Sequence, residues 1–561
     1  MFCVIQVKDV VVRLDDLIER IKSSYYQVQR QHKLDEILSI SFSKADIQAD
    51  DQSSTELNGQ FIHSQLLIDC LIRMESSVVG TEKHELIQYF KEKYKNEPEE
   101  LEIIDEFERG YSSTQSIRWY TKESFLYRSL NKALRSQDIE LLYLFRFFIR
   151  DLGLELEKHK CSSSVHVYRA QKMAKDEVEK LQQSLGEYIS MNSFLSTSIH
   201  SDSARSFLSS DDSNFEKVLF KIDANPHVKH SKPFVYTPPF SFYPNEEEIL
   251  FMCGSIFRIN EVKRDKDSIW NIRLVLCSTD DEQLQSLFQH MKNELGDGQT
   301  NLLQFGHVLR DMGKLNDAEK YYRCYLKQLS DDHVDRALCY HALGKIASAK
   351  GDFKSSLKWF NKSLEMNKQF LAPTDPNLGC DYNSIATIYF QTGDDQNALE
   401  SYEKALHIWK QAYGRNHICI AACLNNMGVI HQKQENYSKA LKCYEKALKI
   451  RQEKLPENHI DLGESYNNIG SVNYYLDQYE DALEHYNLAL KIKLDCLPPE
   501  HSSIAMTLEN IGSVYEEKDD FQQALVYFKK ASKIFHHSLP SDHPNVIKID
   551  RSIERISSKL D

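Results

Sequence analysis

The second half of the chain repeats one pattern of small, aromatic and polar positions every 42 residues. Within each repeat, apolar residues recur at helical spacing in two stretches, which predicts a pair of amphipathic helices. Three rows keep the interval: Gly344, Ala386, Gly428, Gly470 and Gly512; Ser356, Ala398, Ala440, Ala482 and Ala524; and Phe360, Tyr402, Tyr444, Tyr486 and Phe528. One helix pair cannot bury its apolar face alone, so the pairs are expected to stack into a superhelix with a concave groove.

This pattern resembles the tetratricopeptide repeat, in the long form found in kinesin light chains. A looser copy, with Gly306, Ala318 and Tyr322, precedes the regular ones. We therefore expect the array to span residues 298–561, with about six helix pairs and a C-terminal capping helix. Residues 281–297 are interpreted as a linker.

Two polar rows accompany the repeats. Asn426, Asn468 and Asn510 fall at one position of successive first helices, and amides repeated on a concave face can bind the backbone of an extended peptide. The alternative is that asparagine is simply tolerated at an exposed helix position. A row of histidines in the connectors is interpreted as structural, because a spacing of 42 residues does not match a metal motif: His417, His459, His501 and His543.

The first half of the chain lacks this repeat and has a different pattern of apolar and polar residues. Residues 1–105 are interpreted as a small α/β accessory region of unknown role, with a strand near ILSISFS and a helix over QFIHSQLLIDCLIRM. Between 106 and 280, helices come first and short β-type runs follow, which favours an α+β domain with a largely antiparallel sheet. The chain is therefore predicted to be multidomain, with this α+β domain followed by the all-α superhelix.

Charge and composition exclude several classes of function. The formal net charge is −14, which argues against a general nucleic-acid binder or a polybasic membrane anchor. We expect no membrane helix, because no apolar run is long enough, and no export signal, because acids follow the short apolar opening at once. Twelve cysteines lack zinc-type spacing and are expected to be reduced thiols, so we expect a cytoplasmic protein without a metal.

Three short motifs in the middle domain carry the candidate chemistry. They are Val-Tyr-Arg ending at Arg169, Phe-Leu-Ser-Thr-Ser over 194–198, and a Glu-Glu-Glu run over 246–248 ahead of an apolar strand. Each motif alone is weak, because an acidic run is usually a solvated face and Ser-Thr-Ser is usually a turn. Their order, and the acidic run directly before Ile249, resemble the R-S-E signature of arginine-type mono-ADP-ribosyltransferases.

The resemblance implies a co-substrate and a role for each residue. NAD is the expected donor, with Arg169 on its pyrophosphate and with Ser196, Phe194 and Thr197 on the NAD-binding side. Glu248 is the expected catalytic carboxylate, oriented by Ser196. In an extended strand, residues i and i+2 share a face, so Glu246 is expected to face the same cleft and to orient an arginine acceptor, while Glu247 turns outward. In the aromatic turn ahead of this strand, Phe242 or Tyr243 is expected to contact the acceptor or nicotinamide.

The predicted function is transfer of ADP-ribose from NAD to arginine on an acceptor protein that the repeats recruit. Two alternative functions fit the same pattern. The chain could be a catalytically inactive peptide-binding scaffold, or it could be an NAD glycohydrolase in which water replaces the guanidinium. A second carboxylate at Glu246 counts against the glycohydrolase, because water needs no such partner.

Overall fold

A computed structural model describes residues 40–43, 57–75, 81–208, 215–278, 284, 295–296 and 298–560. The chain divides into two compact units, Met1–Ala318 and Glu319–Asp561. Most of the predicted linker 281–297 lies outside the described residues. The predicted domain boundaries at 105, 280 and 297 stay predictions.

The first unit begins with a helical block ahead of its main strands. Helix α3 starts with Pro98 and carries Glu99 and Glu100 in its first turn. Proline is favourable there because the backbone N–H that it lacks would have no partner inside the helix, and the acidic side chains interact favourably with the positive end of the helix dipole. Arg146 of α7 is buried in the block and donates to the Glu82 carboxylate at 3.2 Å, which pairs its charge. The helices are α1 (Leu57–Arg73), α2 (Thr81–Lys93), α3 (Pro98–Gly110), α4 (Ser116–Thr121), α5 (Phe125–Ser136), α6 (Ile139–Leu144) and α7 (Arg146–Lys158).

A nine-stranded mixed sheet follows, with strand order β1-β3-β8-β9-β5-β2-β4-β7-β6. Only β5 and β9 pair in parallel among these strands, so the predicted antiparallel character is confirmed. Two short helices, α8 (Lys175–Gln183) and α9 (Ser201–Arg205), connect strands. The strands are β1 (Ile40–Ser43), β2 (Val165–Met173), β3 (Tyr188–Met191), β4 (Leu195–Ser198), β5 (Glu216–Ala224), β6 (Phe234–Tyr236), β7 (Glu248–Phe251), β8 (Ser255–Arg264) and β9 (Trp270–Leu276).

The predicted strand and helix of the N-terminal region are confirmed, and both are built into this sheet layer. Strand β1 pairs with β3, placing Ile40 opposite Met191. From α1, the Gln65 amide donates to Ser190 Oγ at 2.5 Å and to the Gly254 carbonyl at 3.1 Å. Residues 40–43 and 57–73 therefore pack with the motif strands in one compact unit.

The repeats consist of helices α10 to α22, so the all-α superhelix is confirmed. In sequence order they form six helix–turn–helix units and a last helix. The bounds are α10 (Leu302–Asp311), α11 (Leu315–Gln328), α12 (Asp335–Ala349), α13 (Phe353–Phe370), α14 (Pro376–Gln391), α15 (Asp395–Tyr413), α16 (Ile418–Lys433), α17 (Tyr437–Lys454), α18 (Ile460–Tyr475), α19 (Tyr479–Cys496), α20 (Ser502–Glu517), α21 (Phe521–Ser538) and α22 (Pro544–Leu560).

The 42-residue rows are the contact points inside each helix pair. A Cβ atom added at Gly428 would lie 2.6 Å from the Tyr444 ring, so the absence of a side chain allows the ring to pack against the helix. At Gly344, Gly470 and Gly512 an added Cβ atom would likewise come too close to the aromatic ring of the paired helix. The second row, from Ser356 to Ala524, is fully buried. Small residues therefore fix the spacing of the two helices, and the aromatic ring fills the seam.

The histidine row has a structural role, as predicted. The Nδ1 atoms of His417, His459, His501 and His543 each accept from a backbone N–H two residues on, at 3.1 to 3.3 Å. Asp375 occupies the same row and accepts from Asn377 N at 2.9 Å. These side chains are therefore N-caps of the first helix of each repeat, satisfying a donor that lacks an intrahelical partner.

Substitution of His501 by alanine is expected to lower the free energy of unfolding by about 1 kcal/mol, because the Ser503 N–H loses its acceptor. His501→Asp should retain most of the stability, since aspartate already caps this position at Asp375. Urea unfolding of the full chain, followed by helical circular dichroism, measures both. Equal losses in the two variants would contradict the capping role.

Candidate active site

Three neighbouring strands bring the predicted motif residues together. Arg169 lies on β2, Ser196 on β4 and Glu248 on β7, and these strands are adjacent in the sheet order. Strands β4 and β7 pair antiparallel, with Ser196 opposite Leu250 and Ser198 opposite Glu248. Residues far apart in the sequence therefore meet because of the sheet topology.

Arg169 is 4 % exposed, and its guanidinium faces β4. Its Nη1 donates to the Ser196 carbonyl at 2.9 Å. A buried guanidinium with several donors can fix the backbone of the serine motif and still offer N–H groups to an anionic ligand. The pyrophosphate contact expected for Arg169 stays a prediction.

The Ser196 hydroxyl donates directly to Oε1 of Glu248, as expected for a serine that orients the carboxylate. Glu248 is 6 % exposed and is the first residue of β7. The carboxylate is therefore taken largely out of water and held in one orientation. A carboxylate fixed in this way can stabilise positive charge that develops beside it without reorganising.

The two other glutamates lie ahead of the strand. Strand β7 begins only at Glu248, so the alternation of side chains in a strand does not apply to Glu246. The Glu248 N–H donates to the Glu246 carbonyl at 2.9 Å, which closes a tight turn. Glu246 is half-buried. Glu247 is exposed and pairs with His200, so it turns outward as predicted. The shared cleft for Glu246 and Glu248 stays a prediction.

The other residues expected on the NAD side are both buried. The Phe194 ring lies 5.2 Å from the Tyr120 ring of α4, centroid to centroid. Thr197 lies between Ser196 and Ser198 in an extended strand, so it points to the opposite face, and its hydroxyl donates to the Ile249 carbonyl at 2.8 Å. Thr197 therefore supports the sheet, and its contact with NAD stays a prediction.

The aromatic turn ahead of β7 is attached to helix α4. The Phe242 N–H donates to Thr121 Oγ1 at 2.9 Å. Arg118 and Lys122 lie near the Phe242 ring, with Cζ and Nζ 5.1 and 5.2 Å from its centroid. The Tyr243 ring packs edge-on against Phe242. The contact expected of Phe242 or Tyr243 with the acceptor or nicotinamide stays a prediction.

Two further residues of the site were missed from sequence. Gln171 lies two positions after Arg169 on the same face of β2, and it is 3 % exposed. Within the described part of the chain, neither amide atom of Gln171 meets a hydrogen-bond partner. Buried unsatisfied donors and acceptors next to a guanidinium fit a polar anionic ligand such as NAD. The second residue is Thr237, whose hydroxyl lies 3.2 Å from Glu248 Oε2.

Four buried cysteine thiols are unsuited to act as nucleophiles. Cys253, two residues beyond β7, is fully buried, and burial raises the pKa of its thiol to about 11. Burial likewise raises the pKa of the Cys70, Cys339 and Cys423 thiols to about 12. These groups stay protonated at neutral pH and are poor nucleophiles.

The asparagine row of the repeats forms bonds between neighbouring repeats. Asn468 Nδ2 donates to Asn425 Oδ1 at 3.0 Å, and Asn510 Nδ2 donates to Asn467 Oδ1 at 3.3 Å. Asn426, Asn468 and Asn510 are all half-buried. Asn468 and Asn510 therefore connect successive first helices, and the expected contact of the row with a peptide stays a prediction.

Within the described residues, no group of three or more histidine, cysteine, aspartate or glutamate side chains could hold a metal ion. None of the helices over the same residues is long and apolar enough to cross a membrane.

Comparison with known protein families assigns a class to each half of the chain. The model described as "ADP-ribosyltransferase exoenzyme" matches residues 88–283, which include Arg169, Ser196 and Glu248. The model described as "Tetratricopeptide repeat" matches residues 299–369, 380–453, 426–495 and 461–536. The chain thus carries an ADP-ribosyltransferase exoenzyme domain, a transferase class whose substrate is NAD, followed by tetratricopeptide repeats, which suggest protein–protein interaction.

Solved structures are similar to parts of the chain at low identity. BtubC (BKLC) from P. vanneervenii is 23% identical with a TM-score of 0.36, covering 40% of this chain and 89% of its own. The apo form of RapI is 19% identical with a TM-score of 0.37, covering 50% and 81%. MamA from Desulfovibrio magneticus RS-1 is 18% identical with a TM-score of 0.29, covering 36% and 97%. No curated protein matches the sequence.

Proposed function

We propose that this chain transfers ADP-ribose from NAD to arginine side chains of an acceptor protein that its repeats recruit. One observation carries the proposal. In the domain matched by the ADP-ribosyltransferase model, the buried Glu248 carboxylate is held by the Ser196 hydroxyl, and Arg169 fixes the Ser196 backbone.

The chemistry follows from the charge that develops in the reaction. Cleavage of the nicotinamide–ribose bond sends the bonding electron pair to nicotinamide and leaves positive charge on the ribose. A preorganised carboxylate stabilises this charge more in the transition state than in the ground state, and Glu248 supplies it. The same electrostatic logic operates in glycosidases, without any relation of fold. Arg169 and Gln171 would contact the polar part of NAD.

Arginine is the proposed acceptor because a second carboxylate, Glu246, lies in the turn that leads into β7. A carboxylate pairs well with a guanidinium, orients it and can accept the proton released as its nitrogen bonds to the ribose. The repeats would hold the acceptor protein on the same chain. This raises the acceptor's effective concentration, so weak affinity at the active site is sufficient.

The direct test is nicotinamide release from NAD by the full chain, with and without agmatine, a small guanidine acceptor. Arginine transfer predicts that agmatine stimulates release and that an agmatine–ADP-ribose conjugate forms. Release that ignores agmatine would support the glycohydrolase. Absence of any release would support the scaffold, in which the domain is inactive.

Glu246→Gln is expected to reduce transfer to agmatine by about 100-fold, because a neutral amide pairs weakly with a guanidinium and cannot accept its proton. Basal NAD hydrolysis should change by less than about threefold, since Glu248 and Ser196 are untouched. Product analysis by chromatography separates the two activities. Parallel loss of both would show that Glu246 is not specific to the acceptor.

A further inference from the structure

Thr237 lies opposite Glu248 at the end of the edge strand β6. The β6–β7 register pairs Tyr236 with Ile249, and the Thr237 N–H donates to the Glu248 carbonyl at 3.0 Å. Thr237 is fully buried. Its placement beside the carboxylate therefore comes from strand pairing, and nothing in the local sequence indicates it.

The hydroxyl of Thr237 has two acceptors, both on Glu248. Oγ1 lies 3.2 Å from the backbone carbonyl and 3.2 Å from Oε2. A hydroxyl has one proton to donate, and the bond to the ionised carboxylate is the stronger because it is charge-assisted. The other carboxylate oxygen, Oε1, already accepts from Ser196. Each oxygen of Glu248 thus has its own hydroxyl, one from β4 and one next to β6.

We propose that Thr237 is a second positioning residue for the catalytic carboxylate, which rests on the proposed function of Glu248. The terminal torsion of a glutamate side chain has a broad energy minimum, so a hydrogen bond to one carboxylate oxygen restrains its rotation only in part. A second hydroxyl on the opposite oxygen fixes the plane of the carboxylate. The fixed plane keeps Glu248 directed at the developing charge.

The side chain and the backbone carbonyl of Thr237 make separate hydrogen bonds. Its carbonyl accepts from the Phe240 and Ser241 N–H groups, both at 2.8 Å, and so begins the aromatic turn that leads to Glu246. Substituting the side chain leaves these backbone bonds in place. Valine has nearly the shape of threonine without the hydroxyl, and serine keeps the hydroxyl without the methyl group, so two variants separate positioning from packing.

The test compares full-length wild type, Thr237→Val and Thr237→Ser in nicotinamide release. We expect valine to lower kcat about tenfold, as for loss of one hydrogen bond to a charged group, with the KM for NAD within about twofold. Serine should restore kcat to within about threefold of wild type. The inference is overturned if valine leaves kcat unchanged, or if serine is as slow as valine, since the methyl packing would then be what matters.

A second measurement keeps the contact testable if the proposed function fails. If the wild type releases no nicotinamide, thermal midpoints of the full chain still report on the contact. Thr237→Val should lower the midpoint in the wild-type background and have clearly less effect in a Glu248→Leu background, which has no carboxylate to accept. Equal shifts in both backgrounds would show that the hydroxyl serves only the backbone carbonyl, and would overturn the inference.

Discussion

Glu248→Gln is expected to abolish ADP-ribose transfer while NAD still binds. Glutamine keeps the size of the side chain and can still accept from Ser196, but it carries no negative charge. The loss should be about 1,000-fold in kcat, or about 4 kcal/mol, which is typical of removing one preorganised electrostatic group. Radiolabelled NAD with agmatine or a protein acceptor measures transfer, and equilibrium binding of NAD to the same preparation measures affinity.

The neighbouring residue provides a matched control. Glu247→Gln makes the same chemical change one position earlier, where the carboxylate is exposed and pairs with His200. This variant should retain transfer within about twofold. Undiminished labelling by Glu248→Gln would remove the assignment of the catalytic carboxylate. A comparable loss in both variants would show that the turn tolerates no change, and would leave the charge argument unsupported.

The sequence predicted the parts of this site that depend on order along the chain. Arg169, Ser196 and Glu248 each lie in or at the start of a short apolar run, so their strands could be identified from residue pattern. The structure places these strands side by side and links the three residues by two hydrogen bonds. Order and local pattern were therefore sufficient to predict that these three residues lie close together.

The parts that the sequence does not predict depend on where a strand begins and on what lies across from it. Glu246 was placed by strand alternation, but the backbone turns at this point and β7 starts two residues later. Thr237 carries no motif, because its role arises only when β6 pairs with β7. The ends of strands are decided by tertiary contacts that one sequence does not display.

The repeats were more predictable because each unit contacts mainly its neighbours. A small residue and a ring in one unit meet within the same helix pair, so the 42-residue period displays the contact directly in the sequence. The connectors were only partly predictable. The histidines were expected to be structural, but their role as helix N-caps required the backbone geometry.

Tyr444→Ala is expected to cost about 3 to 5 kcal/mol of unfolding free energy, among the largest effects of any single substitution in the repeats. The Tyr444 ring is 1 % exposed, packs against Gly428 and donates its hydroxyl proton to Gln432 Oε1 at 3.0 Å. Alanine leaves a cavity lined by helix backbone that cannot collapse onto it. Urea unfolding followed by circular dichroism should show a lower midpoint for the helical signal.

The row itself supplies the control for this prediction. Phe360 and Phe528 occupy the equivalent position in other repeats and are equally buried, so Tyr444→Phe should lose only the hydroxyl bond, about 1 kcal/mol. Because a central repeat couples the units on both sides, Tyr444→Ala should also broaden the transition or split it. A loss in Tyr444→Phe as large as in Tyr444→Ala would mean that the hydroxyl, and not the ring in the seam, holds the helix pair together.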